Sequence, residues 1–191
     1  MILVVGLGNP GPRYAGTRHN VGFQVIDRLA ARAASAAFKE RFHGSFASVE
    51  LAGAALGLLK PLTFMNDSGR SVQPAMQFFK LQPASVLVVY DELDLPFGTL
   101  RLKEGGGDAG HRGMKSISAA VGRETTRLRV GIGRPPPDFR GDGADFVLQG
   151  FAPAERAELD SVIDRAADAV VMFATQGISV AMNATNQRNP R

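Results

Sequence analysis

The stretch Ile2-Leu3-Val4-Val5-Gly6-Leu7-Gly8-Asn9-Pro10-Gly11 decides how the rest of the chain is read. Ile2 to Val5 is an unbroken aliphatic run, rich in β-branched residues and stopped by a glycine. That is the pattern of a strand buried on both faces, and such strands lie at the centre of a mostly parallel sheet covered by helices. Gly6, Gly8 and Gly11 then spell G-x-G-x-x-G, which in dinucleotide-binding folds brings a pyrophosphate onto a helix N-terminus. The surroundings argue against that use here. Pro10 and Pro12 remove two backbone donors, the next helix opens about ten residues too late, and no acid closes a second strand roughly 20 residues on. The other reading is a tight turn whose glycines let Asn9 stand at a strand end.

Outward from this stretch, Val21, Val25, Ile26, Leu29, Ala30 and Ala33 recur at helical spacing. The first helix is therefore predicted to begin just after His19, with Asn20 as its N-cap. Phe46 to Leu51 and Ala55 to Leu59 flank Gly53 as a hairpin that Pro61 interrupts. Asp67 and Ser68 are candidate caps for a helix running to about Lys80. Val86 to Tyr90 is a second buried strand, followed by Asp91. Thr99 to Lys103 alternates in polarity, the glycines from Gly105 to Gly110 form an open loop before a helix near Gly113, and Arg127 to Ile132 is a further strand. After Pro153, Leu159, Val162, Ile163, Ala166, Val170 and Phe173 mark an amphipathic helix ended by Gly177. Crossover helices combined with a hairpin predict an α/β fold: a single-domain, three-layer α/β/α sandwich over residues 1–191 with a twisted, mixed and mostly parallel sheet.

A chain of 191 residues has room for one ordinary domain, and its 45% hydrophobic and 21% charged residues fit neither a disordered chain nor a membrane protein. Cysteine is absent, which removes disulfides, thiol catalysis and thiolate metal sites. The apolar start ends at Gly6, far short of a signal-peptide core, so an intracellular location is expected. Net charge is +4 but unevenly spread. Eight Lys and Arg between Arg101 and Arg134 face three acids, while eight acids between Asp138 and Asp168 face three Arg. A basic middle of this kind serves either as a polyanion site or as an ordinary solvated face.

His19 beside a helix start is disfavoured as an imidazolium and is therefore suited to accepting a proton. In an open α/β sheet the loops after parallel strands share one edge, so Asn9 and Asp91 can converge there while His19 approaches from the adjoining helix. A carboxylate that accepts one ring N–H fixes the tautomer and stabilises the imidazolium formed when the other nitrogen takes a proton, which makes a water-activating dyad. Taken singly, each residue is equally at home as a helix-end hydrogen bonder or a turn-forming acid. Asp91, Glu92 and Asp94 could hold a hard cation, but consecutive carboxylates diverge on an extended segment, and the turn reading is preferred. No nucleophile elbow, H-E-x-x-H pair or phosphate-binding G-K-[ST] loop occurs. His43 reads as a surface residue, and His111 as loop structure rather than a second base.

Together, Gly6-Leu7-Gly8-Asn9-Pro10-Gly11, Tyr14, Thr17-Arg18-His19-Asn20-Val21-Gly22, Pro61-Leu62-Thr63-Phe64-Met65-Asn66 and Asp91-Glu92-Leu93-Asp94-Leu95-Pro96 resemble bacterial-type peptidyl-tRNA hydrolases. The likeness continues through Gly105 to Gly113 and Leu128 to Gly133, in order over nearly the whole chain. The resemblance implies hydrolysis of the ester joining a peptide to the 3′-terminal ribose of tRNA, by a cytoplasmic monomer with no metal, no cofactor and no membrane association. It makes His19 the general base and Asp91 its orienting acid, with Asn9 and Asn66 holding the peptide-ester end. It assigns Tyr14 and Phe64 to the tRNA-end pocket, and Lys103 and Arg129 to a clamp on a tRNA phosphate. One position departs from the pattern. Where many members carry His-Asn-Gly, this chain has His111-Arg112-Gly113, so a guanidinium able to reach a phosphate replaces a neutral amide. The competing reading is a non-catalytic RNA-binding homologue; the presence of His19, Asp91, Asn9 and Asn66 together favours the enzyme.

Overall fold

A computed structural model of the chain describes residues 1–187; the last four residues of the expected 1–191 unit lie outside the described residues. Seven strands form one sheet in the order β2-β3-β4-β1-β5-β7-β6. These are β1 (Ile2–Gly6), β2 (Lys39–Arg41), β3 (Gly44–Leu51), β4 (Ala54–Pro61), β5 (Val86–Glu92), β6 (Leu100–Glu104) and β7 (Thr126–Gly131). The four central strands β4, β1, β5 and β7 run parallel, and β2, β3 and β6 join antiparallel at the edges. The predicted α/β class and mixed sheet with a parallel core are therefore observed.

Strand alternation builds the two helical layers. Leu3 and Val5 of β1, with Val86, Val88 and Tyr90 of β5, face α2 (Gly69–Phe79) and α3 (Arg112–Val121). Val4, Leu87 and Val89 face α1 (Val21–Arg32) and α5 (Pro153–Gln176), where Val162, Ile163, Ala166, Val170 and Phe173 supply the stripe predicted from their spacing. The short α4 (Gly143–Val147) and the C-terminal α6 (Ile178–Gln187) are additions to the elements predicted from the sequence; α6 packs on α5 and β6. Among the described residues no helix is long and apolar enough to cross a membrane.

Two capping expectations are corrected. Asn20 is the N-cap of α1 by position, but its side chain makes no capping bond because it bonds the backbone of Asn9 instead. Ser68 is likewise the N-cap of α2 by position but makes no capping bond, since its backbone is already helical and its hydroxyl donates to Met65 O at 2.8 Å, while Asp67 pairs with Arg70. The acidic block has a structural use. Asp160, Asp164 and Asp168 on α5 pair with Arg28 and Arg32 of α1, and so fasten the two helices of one layer together.

Chain direction reverses around β1. From β1 the chain passes through α1 towards β4, whereas from β5 it moves to β7 and β6, so the crevice of such a sheet falls between the C-terminal ends of β1 and β5. The N-terminus of α1 is drawn unusually close to this edge. A Cβ on Gly22 would overlap both Leu7 N and Val89 O, two atoms that are themselves hydrogen bonded at 3.0 Å. Gly22 therefore sets how closely His19, just before the helix, approaches the sheet. Replacing Gly22 by alanine is expected to cost about 1–3 kcal/mol by overpacking, or roughly 2–4 °C of melting temperature per kcal/mol at this chain length. Gly16→Ala, with nothing within 4 Å of its Cβ position, should melt like the parent in the same calorimetric scan.

Candidate active site

Asn9 stands just beyond β1 and is buried. Its backbone N–H donates to Asn20 Oδ1 at 2.9 Å, and its carbonyl accepts from Asn20 Nδ2 at 2.9 Å, so one amide side chain holds both backbone groups of the turn. Met65 N–H donates to Asn9 Oδ1 at 2.8 Å. Because a backbone N–H can only donate, this contact fixes the orientation of the Asn9 amide and leaves its NH₂ end for the cavity that the residue lines.

His19 lies in the 3₁₀ turn Arg18–Asn20 that leads into α1. The turn is anchored from outside: Arg18 N–H donates to Gln149 O at 3.0 Å, and its guanidinium stacks 4.0 Å from the centre of the Phe146 ring and pairs with Glu155 at 2.9 Å. His19 Nδ1 lies 2.9 Å from each carboxylate oxygen of Asp91, the penultimate residue of β5. An ionised carboxylate can only accept, so Nδ1 carries the proton and Nε2 the lone pair. Asp91 is 3% exposed. Burial opposes its charge, but the N–H groups of His111 and His19 directed at it hold its carboxyl well below the usual carboxylate range. The dyad geometry expected from the sequence is present.

Glu92 points to the other side of β5, where Oε1 accepts from Asp94 N–H at 3.1 Å and Oε2 lies 3.9 Å from Arg129. Asp94 pairs with Arg134. The carboxylates weighed as cation ligands thus diverge, as alternation along a strand requires. Among the described residues the groups that do cluster are His19, Asp91 and His111, with donor atoms within 4.8 Å of one another. Here the ring N–H groups are directed at the carboxylate oxygens, which makes a hydrogen-bonded set.

A cavity of about 440 Å³ opens over this set. The structure brings Asn9, His19, Asp91, Phe64, Asn66 and Arg112 to its wall, and residues of α4 close the far side. Phe64 is 60% exposed. Tyr14 does not line this cavity; it borders a hollow of about 210 Å³ next to it, and Leu148 belongs to both. Lys103 and Arg129 lie elsewhere, on the β6–β7 ribbon. Lys103 is opposite Arg127 and Arg129 opposite Arg101, so all four side chains share one face. Part of the basic block is structural: Arg127 is 1% exposed and bonds Gly107 O beneath the glycine loop.

Against this geometry, a family model described as peptidyl-tRNA hydrolase matches residues 3–191. The chain belongs to that family. It is 54% identical over 189 residues to the peptidyl-tRNA hydrolase of Sorangium cellulosum (strain So ce56), covering 98% of this chain and 85% of the relative. It is 50% identical over 185 residues to that of Mycobacterium tuberculosis (strain ATCC 25177 / H37Ra), covering 95% of each. The crystal structure of peptidyl-tRNA hydrolase from Acinetobacter baumannii superposes with a TM-score of 0.92 at 38% identity, covering 100% of this chain and 97% of that one.

Two residues of this peptidyl-tRNA hydrolase site take roles that the sequence does not announce. Asn20 resembles a helix cap because its position is one. His111, expected as loop structure, is the N-cap of α3, with Nδ1 accepting from Met114 N–H at 3.3 Å, and its Nε2 lies 2.9 Å from Asp91 Oδ1. A histidine at a helix start is the signal for the first role, but nothing in sequence spacing points to the second. Asn20→Ala would strand both buried backbone groups of Asn9. The expected cost is about 1–3 kcal/mol, with faster hydrogen exchange at the Asn9 amide; unchanged exchange would show that the turn holds itself.

Proposed function

We propose that the chain hydrolyses the ester between the peptide and the 3′-terminal ribose of peptidyl-tRNA, with His19 activating the water. The observation that carries this reading is the pair of 2.9 Å contacts from His19 Nδ1 to Asp91, which leave Nε2 as the basic atom of a residue on the cavity wall. Water deprotonated by Nε2 attacks the ester carbonyl, and Asp91 stabilises the imidazolium that forms; the bond from the carbonyl carbon to the ribose oxygen then breaks, and the imidazolium returns its proton to that oxygen. The amides of Asn9 and Asn66 are neutral donors for the developing oxyanion. The ribose oxygen is a far better leaving group than an amide nitrogen, so a positioned base suffices without a covalent nucleophile.

The fixed orientation of the Asn9 amide also supports discrimination. Its free end is an NH₂ group, which can donate to the carbonyl of an N-acylated residue but finds no acceptor on a free ammonium. Phe64 and Tyr14 are assigned to the terminal bases, which stack on aromatic faces. Lys103 and Arg129 are assigned to a phosphate, and Arg112, on the cavity wall where an amide is usual, supplies a guanidinium suited to an anionic group. The reading is completed by a cytoplasmic monomer of one catalytic unit that recycles tRNA.

His19→Ala is expected to lower turnover of N-acetylaminoacyl-tRNA by about 10²–10⁴ while leaving tRNA binding intact. Unacetylated aminoacyl-tRNA should be a poor substrate for the unaltered chain. Full activity in the variant would end the dyad assignment. Lys103→Ala or Arg129→Ala should weaken tRNA binding and flatten its salt dependence by roughly 0.7–0.9 in logarithmic slope for each phosphate no longer neutralised; an unaltered slope would remove the clamp.

A further inference from the structure

Asp91 serves two imidazoles, and the mechanism above uses only one. Oδ1 accepts from His19 Nδ1 and from His111 Nε2, each at 2.9 Å, and the two rings come from different helical layers. The second imidazole has no freedom to change its role. Met114 N–H, one of the donors left unpaired at the start of α3, points at His111 Nδ1 at 3.3 Å. That nitrogen must therefore be the unprotonated one, and the single ring proton sits on Nε2, aimed at Asp91. The side chain is 8% exposed, its ring set edge-on against Tyr90 with centroids 4.9 Å apart and tilted 5.0 Å from the ring of His19. Gly113 leaves space for it, since a Cβ there would come within 3.2 Å of His111 Cε1.

We infer that His111 is a positioning residue of the hydrolase: its tautomer, locked by the N-cap of α3, makes Nε2–H a permanent second donor that holds the Asp91 carboxylate aligned on His19. The inference rests on the functional reading above. A lone carboxylate beside one histidine can rotate about its Cβ–Cγ bond and hand the imidazole a poorer angle. A carboxylate held by N–H groups from two separate elements cannot, and one of those elements is the helix that carries the cavity wall at Arg112. Misplacements of about 1 Å at such a centre cost up to 10²-fold in rate. Of the charged groups nearby, Glu92 faces Arg129, Arg18 is paired with Glu155 and Asp108 bonds Ser118, while Arg112 lines the same cavity. Burial pushes the Tyr90 phenol up to about 12, so it is no competing anion at neutral pH.

The discriminating variant is His111→Asn, because asparagine is among the best N-caps but is too short to replace the imidazole at Asp91. Its melting temperature should stay near that of the parent. In single-turnover hydrolysis of N-acetylaminoacyl-tRNA its rate constant should fall roughly 10- to 100-fold with little change in KM. In an Asp91→Asn background the same substitution should cost nothing further, since the group it acts through is gone. An equal loss in both backgrounds, or none in the parent, overturns the inference. Nitrogen-15 NMR of the histidine rings reads the tautomer directly: His111 protonated on Nε2 is the expected form, and protonation on Nδ1 contradicts it. If His19→Ala remains active, the reading of the whole site fails; if that variant is inactive while His111→Asn is silent, only the role of His111 fails.

Discussion

A buried carboxylate must be paired, and much of this fold's C-terminal edge is arranged around that requirement at Asp91. An unpaired anion at 3% exposure would shift its protonation or destabilise the strand that carries it. The two partners arrive from opposite helical layers: His19 from the turn before α1, and His111 from the N-cap of α3. The carboxylate therefore ties the two layers to the end of β5 at one point. The same tie fixes which nitrogen of each ring carries the proton, and this turns a structural contact into chemistry.

Placement of the pair follows from topology and from close backbone approach. β1 and β5 are adjacent and parallel, and the chain leaves them in opposite directions, so Asn9 and Asp91 emerge at one crevice. Gly22 lets α1 settle against the Leu7 and Val89 backbones, which brings His19 within reach. Asn20 then holds the turn of Asn9, and Asn9 in turn accepts from Met65 next to the cavity-lining Phe64 and Asn66. Four sequence motifs that are distant along the chain thus become one hydrogen-bonded shell.

The parts legible in the sequence are those with strong periodicity or continuous burial. Ile2 to Val5 and Val86 to Tyr90 read as central strands because they are apolar on both faces, and α5 is visible from its stripe. β2 is not, because Lys39, Glu40 and Arg41 are all exposed and polar and owe their conformation to pairing with β3. The short α4 is too brief to leave a period. Charge distribution is a weaker guide. The acidic block is in part the partner of Arg28 and Arg32, and Arg127 in the basic block is an internal strut, so neither block reads whole as a binding surface. At the site, His19 and Asp91 can be paired by reasoning about strand ends. The second bond of Asp91 to His111 depends on side-chain directions across a loop, which no spacing rule encodes.

The most direct measurement of the central pairing is a double-substitution cycle on the dyad itself. Asp91→Asn, assayed by single-turnover hydrolysis, should slow the reaction by about 10²-fold or more when His19 is present and have no further effect once His19 has been replaced by alanine. Equal losses in both settings would mean that the carboxylate acts independently of the imidazole, and would contradict the coupling on which the mechanism depends.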